Sequence, residues 1–287
     1  MAGAGLVAIK RRIKSINNTK KITKAVGLVA TSKLRKSRQS LEANNIYYNY
    51  FKDIINRMLN DIEDKNNIYI YGNESNKKLY IALTSDAGLC GGFNGNVVTK
   101  TVQQISGERE NSPLIIVGQK GRMYFKKLGY DCIAEYVEIP DMPTIKEARI
   151  IVNKALALYK KGEVGEINIV YTEFISSVKQ EVKVRKILPF EYTPVTFEKS
   201  HKDYIEYEPE SREILKNISN IYLNQTVLNF MLNSKTSEQG ARMAAMDGAT
   251  KNANDLLEKL NLKYNRIRQS VITQEISEIV GGAEAQK

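Results

Sequence analysis

The sequence predicts an α/β domain inserted between two long helices, one at each end of the chain. Proline placement is the first reason, because all six prolines lie between Pro113 and Pro209 and both ends lack this helix-breaking residue. Hydrophobic spacing is the second, because apolar residues recur at three- and four-residue steps at both ends and in short runs in the middle. The third is bulk: 287 residues that are 42% hydrophobic suffice for a buried core.

The N-terminal segment, residues 1–65, is predicted to be one long helix. Its apolar residues keep a helical spacing apart from a polar gap at residues 17–21, and if residues 5–62 are all helical the rod is roughly 85 Å long. A helix of that length needs a partner along its side. The residues that carry the spacing are Ile9, Ile13, Ile16, Val26, Val29, Leu34, Leu41, Tyr47, Phe51, Ile54, Met58 and Ile62.

The C-terminal segment, residues 209–287, is predicted to be a second long helix with a coiled-coil seam. The first part of that seam comprises Ile214, Ile218, Ile221, Gln225, Leu228 and Leu232, and the second comprises Met246, Ala249, Ala253, Leu256, Leu260, Tyr264, Ile267 and Val271. Small residues between Gly240 and Ala249 would let another backbone approach closely. We therefore expect the two terminal helices to pair with each other.

The middle of the chain, residues 75–195, is predicted to be an α/β domain with a largely parallel sheet. Short apolar runs alternate there with helical patterns, which is typical of such domains. The predicted strands are 79–85, 114–117, 132–137, 167–171 and 181–187, and the predicted helices are 97–105, 122–128 and 145–160.

A glycine-rich stretch, TSDAGLCGGFN at residues 84–94, follows the first predicted strand. Such a loop before a helix can hold phosphate on free backbone N–H groups. However, no lysine followed by Ser or Thr comes after the glycines, and their spacing differs from G-x-G-x-x-G. A tight turn that packs the strand against its helix is the better interpretation, and nucleotide binding is the alternative.

Catalytic and metal-binding side chains are scarce. The chain has one histidine, His201, and two cysteines, Cys90 and Cys132, and only that histidine could serve Cys90 as a base. We expect no catalytic residue, no metal site and no cofactor, and we expect both thiols to be reduced and structural. The absence of a secretory signal and of any long apolar run leads us to expect a soluble intracellular protein.

The net charge of +11 is concentrated at the N-terminus. Eleven of the 43 Lys and Arg residues precede Glu42, the first acidic residue, and the other 32 balance the 32 Asp and Glu. This basic segment predicts a negatively charged partner, for which nucleic acid, an anionic membrane and an acidic protein surface are candidates. Nucleic acid is weakened because the first aromatic residue, Tyr47, lies beyond the basic region. A transit peptide and a simply solvated face stay open.

Three parts of the chain resemble the gamma subunit of F-type ATP synthases. Residues 18–26 (NTKKITKAV) and 29–36 (VATSKLRK) resemble its N-terminal signature, and SDAGLCGGFN resembles its central motif. Its C-terminal signature is matched by 238–246 (EQGARMAAM), 249–253 (ATKNA), 262–266 (LKYNR) and 269–281 (QSVITQEISEIVG). The order and length also agree with that family.

The resemblance implies a fold and a function. The terminal helices would form an antiparallel coiled coil inside a ring of alternating alpha and beta subunits, and the middle domain would be Rossmann-like without binding a nucleotide. The chain would be the rotor shaft, not an enzyme by itself, without a small-molecule substrate or nucleic acid partner. It would lie at the cytoplasmic face of the cell membrane. The alternative is a basic coiled-coil nucleic-acid-binding protein.

The resemblance also implies partner contacts. The epsilon subunit and the membrane c-ring would meet the lower coiled coil and the middle domain, with Tyr207 and Glu208 facing the ring. The basic residues Lys33, Arg35 and Lys36 would meet acidic lever segments of the beta subunits. The residues expected to hold and release a beta subunit are Arg242, Gln269 and Thr273, and Val26 stands where relatives often carry methionine.

Overall fold

A computed structural model describes residues 2–61, 67–190 and 211–284 of the chain. Two long helices, α1 (Ala2–Asp61) and α6 (Ser211–Glu284), enclose an α/β region in sequence. The elements of that region are α2 (Ile68–Tyr71), β1 (Lys78–Leu83), α3 (Phe93–Ile105), a 3-10 turn (Arg109–Asn111), β2 (Leu114–Val117), α4 (Gln119–Lys127), β3 (Ala134–Tyr136), α5 (Ile145–Lys160), β4 (Glu166–Phe174) and β5 (Gln180–Leu188). The predicted fold class is confirmed.

The five strands form one sheet in the order β3-β2-β1-β4-β5. The first four strands are parallel, and β5 pairs antiparallel with β4 at the edge. Strands β1 and β2 are buried almost throughout, as expected of parallel strands that are covered by helices on both faces. The prediction of a largely parallel sheet is therefore confirmed.

The chain divides into two compact units, one made of Met1–Ala30 with Met243–Lys287 and the other of Thr31–Arg242. In the second unit, alternate residues of β1 point to opposite faces of the sheet. Tyr80 and Ala82 pack with residues of α3 and α4, whereas Ile81 and Leu83 pack with α5 and with parts of α1 and α6. The sheet is thus the middle layer, and the long helices contribute to one of its two cores.

In the first unit, α1 and α6 run antiparallel. The hydroxyls of Thr23 and Thr250 are 2.8 Å apart, and a Cβ placed on Gly27 would lie 3.4 Å from the Cβ of Met246. The less exposed positions of α1 here include Leu6, Ile9, Ile13, Ile16, Lys20, Thr23, Gly27 and Ala30, and those of α6 include Met246, Thr250, Ala253, Leu257, Leu260, Tyr264, Ile267 and Val271. Both series step by three and four residues, which is the spacing of a coiled coil.

The structure corrects several apolar residues of the predicted helical spacing and of the predicted seam. Val29, Tyr47, Ile54, Ile221 and Leu256 are exposed, and in each case the following residue is the less exposed one. The reason is that each is followed directly by another apolar residue that fits the three-and-four spacing better. In the second unit the spacing also passes through polar residues, where Gln225 donates to Asn44 and Asn229 donates to Asn45.

Along the described residues, no helix combines the length and the apolar character needed to cross a membrane.

Candidate partner-binding site

The glycine-rich stretch is a closed turn between β1 and α3. The backbone N–H of Ser85 donates to Asn94 Oδ1 at 2.9 Å, and Asn94 Nδ2 donates to Ser85 Oγ at 2.8 Å and to Cys90 Sγ at 3.2 Å. Leu89 and Gly91 both have a positive φ, of 62° and 56°, so the turn is tight. These contacts support the interpretation of the stretch as a structural turn.

Neither cysteine has the surroundings of a reactive thiol among the described residues. Cys90 is buried within the turn. Burial raises the pKa of the Cys132 thiol to about 11, helped by its hydrogen bond to Glu135. The Cys132 thiol therefore stays protonated near neutral pH.

Arg242, predicted to contact a beta subunit, is buried against its own chain. Its guanidinium donates from Nη2 to Glu238 Oε1 at 2.8 Å and from Nη1 to Gln239 Oε1 at 3.0 Å. It also donates to the carbonyl oxygens of Ala87 and Gly88 in the glycine-rich turn, each at 3.2 Å. The guanidinium thus joins α6 to the turn after β1.

Lys33 also has a partner within the chain. Its ammonium lies 2.7 Å from Asp141 Oδ2, in the connection between β3 and α5, and both side chains are about half exposed. The hydrogen bond from Lys33 is the main cause that lowers the pKa of Asp141 below its usual value. Arg35 and Lys36 are exposed on α1.

The remaining predicted contact residues differ in accessibility. Gln269 and Thr273 are exposed one turn apart on α6, and Thr273 Oγ1 donates to the carbonyl oxygen of Gln269 at 3.0 Å. Val26 lies on α1 in the helix pair of the first unit and is half-buried. Tyr207 and Glu208 lie outside the described residues.

The end of α6 carries an apolar stripe that sequence reasoning did not single out. Beyond Val271, every residue from 272 to 283 is exposed. Ile272, Ile276, Ile279 and Val280 lie on one side, with exposures of 45%, 56%, 72% and 56%. Their spacing of i, i+4, i+7 and i+8 is the signal that could have revealed the stripe. Contiguous exposed apolar residues of this kind mark a surface that a partner covers.

Comparison with known proteins identifies the family. A family model described as ATP synthase matches residues 5–286. An ATP synthase gamma chain from Clostridium novyi is 64% identical over the whole of both chains, and one from Clostridium acetobutylicum is 58% identical with the same coverage. The chain belongs to the ATP synthase gamma chain family. The resemblance seen in the sequence is therefore confirmed.

Solved structures show the same fold at low sequence identity. The central stalk and c-ring structure of the Tetrahymena thermophila mitochondrial ATP synthase has a chain with TM-score 0.65 and 24% identity, covering 79% of this chain and 99% of that one. A chain in the rotor of the Euglena gracilis mitochondrial ATP synthase has TM-score 0.71 and 17% identity, with coverages of 94% and 99%.

Family membership fixes the coarse function. A gamma chain is the rotor shaft in the central stalk of an ATP synthase, a non-catalytic subunit of a membrane-associated complex. The alternative of a nucleic-acid-binding protein receives no support from these relatives.

Proposed function

We propose that this gamma chain couples ion-driven rotation of a membrane c-ring to successive conformational changes in the catalytic beta subunits. The paired ends of α1 and α6 stand inside a ring of alternating alpha and beta subunits, at the cytoplasmic face of the membrane. The apolar stripe at the end of α6 carries this proposal, because four exposed apolar side chains on a single helix need a covering partner.

The coupling follows from asymmetry. The helix pair of the first unit has no threefold symmetry, and residues 272–283 are exposed on all sides while the rest of α6 in that unit has a seam. A shaft of this kind contacts three otherwise equivalent catalytic subunits differently at any moment. Each orientation therefore favours a different conformation in each subunit, and rotation exchanges these conformations in order.

The exposed basic residues of α1 are proposed to meet acidic segments of the beta subunits. Arg35 and Lys36 are accessible, and Lys33 would share its ammonium between Asp141 and such a partner. Exposed ion pairs contribute only about 0–1 kcal/mol each, which suits a contact that is broken and remade at every step.

Gln269 and Thr273 are proposed as direct contacts that hold and release a beta subunit, and Val26 is proposed as a separate contact residue on α1. Both polar side chains are exposed in the described structure. A direct contact from Arg242 requires its guanidinium to exchange the carbonyl partners in the glycine-rich turn for groups of the beta subunit.

The lower coiled coil and the middle domain are proposed to bind the epsilon subunit and the c-ring. In this division residues 1–65 and 209–287 make up the shaft, and residues 75–195 make up the inserted α/β domain. Tyr207 and Glu208 are proposed to face the ring.

Reconstitution tests the proposal. Purified alpha and beta subunits are mixed with and without this chain, and ATP hydrolysis and co-elution in gel filtration are measured on the same samples. We expect the chain to enter the complex at one copy per several alpha and beta subunits and to produce sustained hydrolysis. A chain that elutes separately and leaves hydrolysis unaffected contradicts the proposal.

A further inference from the structure

Three charged residues of α6 are buried on one side of the helix. Lys235, Glu238 and Arg242 are spaced i, i+3 and i+7, and their side chains are only 10%, 5% and 9% exposed. Glu238 lies between the two cations, with Oε1 2.8 Å from Arg242 Nη2 and Oε2 3.6 Å from Lys235 Nζ. Buried charges are costly, so a set that is this completely enclosed needs a structural or functional reason.

Both cations also donate hydrogen bonds to the α/β domain. Arg242 donates to the carbonyl oxygens of Ala87 and Gly88 after β1, and Lys235 Nζ donates to the carbonyl oxygen of Ile139 after β3, at 3.2 Å. Glu238 therefore orients two cations toward two separate loops of the domain.

Asp86 joins these two loops to each other. Its Oδ1 accepts from the backbone N–H of Gln119 at 2.9 Å and of Glu138 at 3.0 Å, and its Oδ2 accepts from the N–H of Ile139 at 3.1 Å. The loop after β3 also holds Asp141, which pairs with Lys33 of α1. Both long helices of this unit are thus linked by charged groups to one corner of the sheet.

We infer that Glu238 is the positioning residue of a torque-transmitting joint, which fixes the α/β domain at one angle around α6. Apolar packing is non-directional and would allow a helix to turn within its core under load. Charge-assisted hydrogen bonds to backbone carbonyls are directional, so they oppose such turning. This inference rests on the proposed function, because a joint of this kind matters only in a part that transmits torque.

The test uses the complete ATP synthase, containing this chain, in lipid vesicles. ATP hydrolysed and ions pumped are measured in the same sample, and their ratio reports coupling per assembled complex. In Glu238→Gln the carboxylate that orients both cations is lost while the side-chain shape is kept. We expect the ratio to fall by roughly threefold or more. Without the carboxylate the two buried cations lose the partner that orients them toward the domain, and breaking a buried ion pair in this way is strongly unfavourable. Glu110→Gln, at an exposed glutamate of the same unit, is the matched control and should keep the ratio.

A double variant of Glu238 and Arg242 shows whether the two residues act through one joint or independently of each other. Arg242→Gln should lower the ratio about as much as Glu238→Gln, and the double variant should be no worse than either, because all three changes break the pair of Glu238 with Arg242. Additive losses, or a normal ratio in assembled Glu238→Gln complexes, would overturn the inference.

Lys235→Met covers the case in which Glu238→Gln does not assemble. It removes the bond to Ile139 and the ion pair with Glu238 Oε2, and it leaves the pair of Glu238 with Arg242 intact. We expect a smaller fall in the ratio, and an unchanged ratio overturns the inference. If the unaltered chain itself fails to assemble or to support pumping, the proposed function fails; if it pumps normally and the variants match it, only the joint fails.

Discussion

Two stretches of the same helix, α6, differ in which side chains they bury. One buries polar side chains, and the other exposes apolar ones. Residues 225–240 are buried on every side, although this stretch includes Asn233, Ser234, Lys235 and Glu238. Residues 272–283 are exposed on every side, although they include the apolar stripe. Both reverse the usual distribution of polar and apolar side chains. In the first, these four polar side chains find partners within the chain, whereas in the second we expect the partner of the apolar side chains to come from another chain.

The buried stretch is connected to the sheet through backbone groups. Ser234 Oγ accepts from the N–H of Thr172 at 3.2 Å, Ser237 Oγ donates to the carbonyl oxygen of Thr172 at 3.1 Å, and Asn233 Oδ1 accepts from the N–H of Phe174 at 3.2 Å. Such bonds specify one register and one angle between helix and strand, which apolar packing alone specifies poorly.

The largest effect that would test this contrast is expected from Glu238→Leu. The substitution leaves Lys235 and Arg242 buried without their carboxylate, and breaking a buried pair in this way costs about 3–5 kcal/mol. Urea unfolding of the isolated chain measures the loss. Glu275→Leu, in the exposed stretch of the same helix, is the control and should change stability little. Equal stability of the two variants would show that the buried charges contribute no more than a surface glutamate.

A smaller effect is expected from Ser234→Ala, because the shape of the side chain is almost kept. The buried N–H of Thr172 loses the hydroxyl that accepts from it, and an unsatisfied buried group costs about 1–3 kcal/mol. Ser277→Ala makes the same change in the exposed stretch and should be neutral. Urea unfolding again provides the measurement, and a neutral Ser234→Ala would contradict a specific role for this hydrogen bond.

The sequence was sufficient for the elements of the fold because hydrophobic spacing is a local signal. β2 (Leu114–Val117) and α5 (Ile145–Lys160) begin and end where the spacing predicts. Seam residues were less predictable, because pairs such as Leu256 and Leu257 both fit a helical pattern and only the partner helix selects one of them. The 3-10 turn and α2 are too short to carry a periodic signal.

The candidate site was predictable only in part. The family signatures led to Arg242, but its partners Ala87 and Gly88 are more than 150 residues away in sequence, and no local pattern reveals such a contact. Lys235 and Asp86 were missed for the same reason. A charged triplet spaced i, i+3 and i+7 among buried residues is the signal that would have pointed to Lys235 and Glu238.

A still smaller effect is expected in the pH dependence of the stability of the second unit, and it arises from Asp141. The hydrogen bond from Lys33, followed by the charges of Lys33, Lys235 and Arg242, lowers the pKa of Asp141 on folding. A carboxylate with a lowered folded-state pKa contributes stability above its unfolded pKa and loses it as the pH falls through the folded value. Because both side chains are about half exposed, the contribution is about 0–1 kcal/mol.

Asp141→Asn tests this contribution by removing the ionisable group. We expect the stability of the variant, measured by urea unfolding between neutral and acidic pH, to decline less than that of the unaltered chain below the normal carboxylate range. Glu42→Gln is the control, because it removes an exposed carboxylate that is paired with Arg38 on the surface of α1. Parallel pH profiles for Asp141→Asn and the unaltered chain would exclude a folding role for the Lys33 pair.

The smallest effect on the isolated chain, and therefore the sharpest test of the contrast, is expected from Ile276→Asn combined with Ile279→Asn. Both side chains are more than half exposed, so urea unfolding should be unchanged. In the complex with alpha and beta subunits, each isoleucine that becomes buried contributes about 1.5–3 kcal/mol, so the double variant should bind about a hundredfold or more weakly. Binding measured at a series of subunit concentrations, with Ser277→Ala as control, separates these results. If binding is unchanged as well, the apolar stripe has no partner in the ring, and the contrast between the two stretches of α6 does not arise from assembly.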